Sequence, residues 1–115
     1  DLVRSELKRL ATPANVYTYY VDALALHGRD LVAVQNEVDP QRVVRFRLDD
    51  SGLVITSAEV LDAWDSLVPE PTLAALVGDR LYLVSNSQWR RFDENGKLPP
   101  PDQLQPPLIV SLSLP

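Results

Sequence analysis

Residues 23–36 read ALALHGRDLVAVQN, and residues 73–86 read LAALVGDRLYLVSN. At a constant offset of 50, Ala25/Ala75, Leu26/Leu76, Gly28/Gly78, Leu31/Leu81, Val34/Val84 and Asn36/Asn86 are identical, six of fourteen positions. Most of the other pairs exchange one apolar residue for another, or Arg for Asp beside the glycine. A match of this kind centred on a turn glycine marks an internal repeat. In each copy a short gap containing glycine, His27-Gly28-Arg29-Asp30 or Val77-Gly78-Asp79-Arg80, separates two apolar runs. That is the pattern of a β-hairpin. Because both runs are apolar on successive residues, they predict strands covered on both faces.

Working outward, Arg42–Leu48 (RVVRFRL) alternates. Val44, Phe46 and Leu48 fall on one face and Arg45 and Arg47 on the other, which predicts a half-exposed third strand. Asp49-Asp50-Ser51-Gly52 is a turn, and Leu53–Leu61 alternates into a fourth strand. The first repeat thus reads as four consecutive antiparallel strands, followed by a link over Asp62–Pro71. In the second repeat a proline-rich excursion, Ser87–Pro107, precedes the third strand at Leu108–Leu114, and no fourth follows. Val3–Ala11 stands before the first hairpin as Ile55–Leu61 stands before the second, and is read as a strand of the fourth kind. A helix over Leu2–Leu10 is its rival, and Thr12–Tyr20 the corresponding link.

Naming the four strands a to d, the order is d, then a-b-c-d, then a-b-c. Four-stranded antiparallel sheets recurring about every 40–50 residues are the blades of a β-propeller. The expectation is an all-β chain forming one partial propeller unit over residues 1–115. A closing d strand and link occupy 1–21, a first blade 22–71, and a second blade lacking its d strand 72–115. Two blades cannot close a ring, because their flanks would expose apolar sheet faces. The expected partners are therefore the remaining blades, supplied by the rest of a longer protein or by other copies, three copies giving six blades. A chain with no methionine is expected to be a processed or internal piece. A small β-sandwich of seven or eight strands would account for the strand count but not for the repeat.

Composition narrows the function classes. A net charge of −5 argues against binding a phosphate backbone, which needs a basic face. No apolar run reaches the length of a membrane span, and no signal-peptide pattern is present. The absence of cysteine excludes disulfides, thiolate zinc sites and cysteine nucleophiles. Cytoplasm and periplasm both remain open.

Hairpin geometry supplies the site argument. Residues equidistant from the Gly28-Arg29 turn face each other, so Asp22 lies opposite Gln35 or Asn36, and Thr72 lies beside Ser85 or Asn86. In a propeller the start of strand a and the end of strand b meet near the axis, so these residues would line one channel mouth. Carboxylate and amide oxygens there suit a hard divalent cation. Equally, Asx residues cap strand ends and satisfy loop amides. The only histidine, His27, is placed at the far end of strand a and reads as a surface or edge residue. Gln88-Trp89-Arg90-Arg91-Phe92 reads as a loop whose aromatics fold onto the sheet, with gripping of a ligand or a nucleic acid as the alternative. Tyr17, Tyr19 and Tyr20 either line the mouth or pack the link. Glu37 and Glu70 are acidic candidates without a spacing argument.

The runs VDALALHGRDLVAVQN, RVVRFRLDDSG and EPTLAALVGDRLYLVSNSQW resemble the C-terminal blades of the senescence-marker-protein/gluconolactonase/luciferin-regenerating-enzyme family, with NHL-repeat proteins close by. The likeness spans residues 20–114. It implies a six-bladed ring holding one divalent cation, calcium or zinc, through Glu, Asn and Asp side chains of different blades. Such a cation would activate water against a lactone or ester. Asp22 matches the acidic or amide position at the entry to strand a, where Ala23 replaces the family's glycine. In the second repeat Thr72 and Leu73 stand at these places. Three functions follow as expectations. The first is a metal-dependent lactone or ester hydrolase with Asp22 as a metal ligand. The second is a non-catalytic propeller binding a ligand or protein through Gln35, Asn36, Thr72, Asn86 and Trp89. The third is a two-blade assembly module without activity.

Overall fold

Both glycine turns form. In the computed structural model, which describes residues 4–64 and 69–115, β1 (Val21–His27) and β2 (Asp30–Gln35) pair antiparallel with His27 opposite Asp30. The loop is therefore Gly28-Arg29, and Gly28 has φ of 62°. A positive φ at the first loop position alone is the type II′ pattern, whose twist matches that of the flanking strands. Two later strands, Ala74–Val77 and Arg80–Val84, repeat the arrangement around Gly78, at φ 57°. A Cβ on either glycine would meet nothing within 4 Å, so the requirement there is conformational and not one of space.

Between the hairpins run β3 (Gln41–Leu48) and β4 (Ile55–Trp64), completing a four-stranded sheet in the order β1-β2-β3-β4. The hairpin at Ala74–Val77 and Arg80–Val84 gives β5 and β6, and with β7 (Ile109–Ser113) these form a three-stranded sheet, β5-β6-β7. All pairings are antiparallel between chain neighbours. The chain is all-β, and among the described residues the only helical turns are single 3₁₀ turns at Trp89–Arg91 and Pro101–Gln103. Among the described residues no helix is long and apolar enough to cross a membrane.

The first sheet is covered on one face and over part of the other, where Leu24 and Leu26 of β1 stay exposed. On one, Val32, Val34 and Val43 pack against Leu81 and Leu83 of the second sheet, with Leu114 closing the cluster. On the other, Ala33, Val44, Phe46 and Ile55 are covered by Leu10 and Val16 of the N-terminal segment. Each fully buried Val, Leu or Phe contributes roughly 1.5–3 kcal/mol of transfer free energy, so these two clusters hold the fold. Of the strand pairs that bridge the two sheets, β1 and β5 have the closest backbone approach.

Three expectations need correction. The second sheet is covered on one face only: Leu73, Val77, Tyr82 and Ile109 are exposed on the other. The N-terminal strand does not form. Residues 4–10 are neither strand nor helix, and only Ala11 makes an isolated parallel bridge, to Val54. Leu10 and Val16 hold this segment over the face of the first sheet, away from the edge of β7 that a d strand would complete. Leu2 and Val3, where the predicted helix and strand begin, and residues 65–68 of the predicted link lie outside the described residues. Finally, β3 is not half-exposed. Arg45 is buried on it, its guanidinium donating to the Pro115 carbonyl at 2.7 Å and lying 3.9 Å from Glu59. A buried arginine is tolerable only with such partners.

Candidate functional site

Asp22 sits at a β-bulge, where the β1–β2 register shifts between Val21 and Ala23. A bulge re-aims a side chain at a strand end. Here the carboxylate oxygen Oδ2 of Asp22 accepts hydrogen bonds from the Asn36 side-chain amide and from the Thr72 hydroxyl, the latter at 3.2 Å. One acidic group thus ties the end of the first hairpin to the approach of the second. The Oδ1 of Asn36 is buried without a hydrogen-bond partner among the described residues.

Gln35 is fully buried and completely engaged. Its amide nitrogen donates to the carbonyls of Tyr17 (3.1 Å) and Tyr19 (2.8 Å), and its oxygen accepts from Arg42 Nε at 2.7 Å. It therefore fixes the path of the chain just before β1. That path carries Tyr17, whose ring lies 5.3 Å from Tyr19 and 6.4 Å from Tyr20, all three partly exposed.

The corresponding end of the second hairpin is built differently. Asn86 donates to the Pro106 carbonyl at 3.0 Å and accepts from the Leu108 amide at 2.7 Å. Ser85 is fully buried, with its backbone N–H donating to the Leu108 carbonyl. These contacts anchor the returning proline-rich segment. Gln88, at φ 59°, extends the ladder by exchanging two hydrogen bonds with the backbone of Gln105. A left-handed non-glycine residue costs free energy and persists only where its surroundings hold it. Its effect here is to swing Arg90 toward Glu70, whose carboxylate accepts from the Arg90 backbone N–H at 3.1 Å.

A cleft of about 400 Å³ results, lined by Pro69, Glu70, Asn86, Gln88, Arg90, Arg91 and Gln105. That volume is within the range of small-molecule sites. Trp89 turns outward beside it and stacks on Phe92, with ring centroids 5.2 Å apart.

The structure therefore brings Asp22, Asn36 and Thr72 into one hydrogen-bonded group. Asn86 belongs to the neighbouring cleft, Trp89 stands at its outer side, and Gln35 lies beneath the surface. Glu70, Gln88, Arg90 and Gln105 were not singled out together by sequence reasoning. The repeat offset alone could have pointed to Glu70, which takes the place of Tyr20. At the opposite end of the hairpins, His27 bonds to Asp79 across the two turns.

Among the described residues two ionisable groups have displaced pKa values, and both lie on β3 or its turn. Arg47 is raised by its hydrogen bonds to Asp30 and Glu59. Asp49 is held below the usual carboxylate range chiefly by the Ser51 hydroxyl. Neither belongs to the Asp22 group or to the cleft.

A divalent cation of the calcium type takes six to eight oxygen ligands, as a general range of about that size. Asp22 offers one carboxylate, but Asn36 presents an N–H to it and Thr72 an O–H. Among the described residues no three of His, Cys, Asp and Glu gather in one place. These residues do not by themselves fit a divalent cation. Comparison with protein-family models, with curated proteins and with solved structures returned no match to the chain.

Proposed function

We propose that the chain is two neighbouring blades of a β-propeller that acts as a non-catalytic binding scaffold. Its ligand would be a small polar molecule taken up where β1 and β5 begin. The observation that carries this reading is the pairing of repeat with architecture. Two sheets fifty residues apart in sequence pack face to face, approach most closely at their first strands, and turn apolar residues outward on their far sides. A self-contained sandwich of this size would cover its outer faces with polar residues; sectors of a ring would not.

Binding is favoured over hydrolysis by the way the polar groups are used. Asp22 already accepts two hydrogen bonds, and His27 bonds Asp79 at the opposite end of the hairpins. By contrast, the Glu70–Arg90 cleft combines a largely shielded carboxylate with exposed guanidinium groups, suited to a ligand bearing both hydroxyl and carbonyl or carboxylate oxygens. A polyhydroxy lactone and its open hydroxy acid are suitable probes. Either should shift the NMR signals of the Arg90 and Asn86 backbone amides, and Glu70→Ala should abolish the shifts. Absence of any shift in the unaltered chain would sink the binding reading.

The second reading is a calcium- or zinc-dependent lactone or ester hydrolase of the gluconolactonase type. The unpartnered Asn36 Oδ1 beside Asp22 is the feature in its favour. Thermal melts with and without calcium or zinc discriminate between the two. The binding reading expects no metal-dependent rise in Tm. A rise in the wild type that Asp22→Ala removes would favour the hydrolase.

A further inference from the structure

We infer that the two bare apolar faces of this chain are complementary halves of one interface, and that a second copy of the chain occupies them head to tail. This rests on the propeller reading above, and deepens it by naming what lies beside each blade.

The argument comes from the packing within the chain. Where the two sheets meet, one face of the first sheet (Ala23, Val32, Val34) meets one face of the second (Ala74, Leu81, Leu83). The repeat offset of 50 converts each face into its counterpart on the other sheet. Ala23, Val32 and Val34 become Leu73, Tyr82 and Val84, which border a bare groove of about 290 Å³ on the outside of the second sheet. Ala74, Leu76 and Leu83 become Leu24, Leu26 and Ala33 on the far face of the first. There Leu24 and Leu26 are 58% and 63% exposed, and across the molecule Leu73 is 67% exposed. The bare face of the second sheet and the bare part of the first are thus the repeat equivalents of faces buried fifty residues away in sequence, and each matches the other rather than itself.

The two bare faces differ in extent, that of the first sheet being its β1 edge and that of the second running across β5, β6 and β7. On the far face of the first sheet, Leu10 and Val16 cover the part formed by β3 and β4, and the part formed by β1 stays bare. The second sheet holds three strands, and among the described residues β7 has no strand on its outer side. A second copy's β5-β6-β7 laid over Leu24 and Leu26 fills the uncovered part. Its β7 edge then comes alongside the segment at residues 4–10, which would exchange its contacts within one copy for the strand it does not form there. Such a contact is heterologous, so it propagates until it closes. With two sheets per copy, three copies give a ring of six, within the usual propeller range of about four to eight.

The test uses the intact chain and two variants that leave its own core untouched. Light scattering of the wild type should give a discrete species near three times 12.8 kDa. Leu26→Glu blocks one face and Tyr82→Glu the other, so each variant alone should be monomeric with unchanged β-sheet circular dichroism. Mixed in equal amounts, they should form a one-to-one dimer, because each retains the face that the other lacks. The β7 amides pointing away from β6 should gain hydrogen-exchange protection in the wild-type assembly only. A monomeric wild type at high concentration would overturn the docking proposal while leaving the propeller reading to other blades. A wild-type dimer that the variant mixture cannot rebuild would mean a self-complementary contact, and would overturn both.

Discussion

The imidazole Nε2 of His27 lies 2.8 Å from Asp79 Oδ1, joining the turn of the first hairpin to the turn of the second. At the other end of the same two strands, Asp22 and Thr72 make the matching cross-link. The two sheets are therefore pinned at both ends of β1 and β5, with the apolar cluster between them. Because Asp79 is largely exposed, its pair with His27 should be worth little. A double-mutant cycle with His27→Ala and Asp79→Ala should give a favourable coupling below about 1 kcal/mol. A larger value would mean that the turns are more shielded than the structure makes them.

The cluster between the sheets should dominate stability. Leu81 is 1% exposed and packs with Val32, Val34 and Val43 across the interface. Leu81→Ala should cost about 2–5 kcal/mol in chemical denaturation, from lost transfer free energy and the cavity left behind. Val60 on β4 is half-exposed, and Val60→Ala should stay within about 0.5 kcal/mol. Equal costs at the two positions would contradict the assignment of the core.

The hairpins were legible because each is a local object: glycine at the turn, apolar runs on either side, and a register counted outward from it. That count put Asp22 opposite Gln35 or Asn36, and it is Asn36 whose side chain reaches the carboxylate; the hydrogen bond from Thr72 was not read from the sequence. What depended on distant partners was not legible. Alternation put Arg45 on an exposed face, yet the carbonyl that accepts its hydrogen bond belongs to Pro115, seventy residues away. The segment leading to Ala11 has the composition of a strand, but it reaches strand pairing only at the Ala11–Val54 bridge, while Leu10 and Val16 pack on the face of the first sheet. The approach of Arg90 to Glu70 required the left-handed backbone of Gln88, for which glutamine gives no signal.

Gln35 offers a sharper test of how the first site is held. Its side chain donates to the Tyr17 and Tyr19 carbonyls and accepts from Arg42. Gln35→Leu keeps the volume and removes all three bonds, leaving Arg42 Nε without that acceptor. The expected loss is about 1–3 kcal/mol by urea denaturation. Freed of its anchor, the 17–20 segment should exchange its amide hydrogens faster, while β5 and β6 remain unchanged. Uniform loosening of both sheets would show instead that Gln35 supports the whole core.

The turn after β3 predicts an acid-side effect with a defined sign. The Asp49 carboxylate accepts from the Ser51 hydroxyl at 2.7 Å and from the backbone N–H groups of Leu53 and Val54, which hold its pKa below the ordinary value of 3.8. A carboxyl whose folded pKa is depressed stabilises the fold fully above its unfolded pKa, and this is lost as pH falls through the folded one. Asp49→Asn cannot ionise, so it should be less stable than the wild type at neutral pH. The gap should narrow only below about 3.8, where the wild-type carboxylate takes up its proton. Melting both proteins across the acid range measures the difference directly, and other titrating groups cancel in the comparison. A gap that stayed constant with pH, or widened in acid, would show that the ionised carboxylate is not what closes this turn.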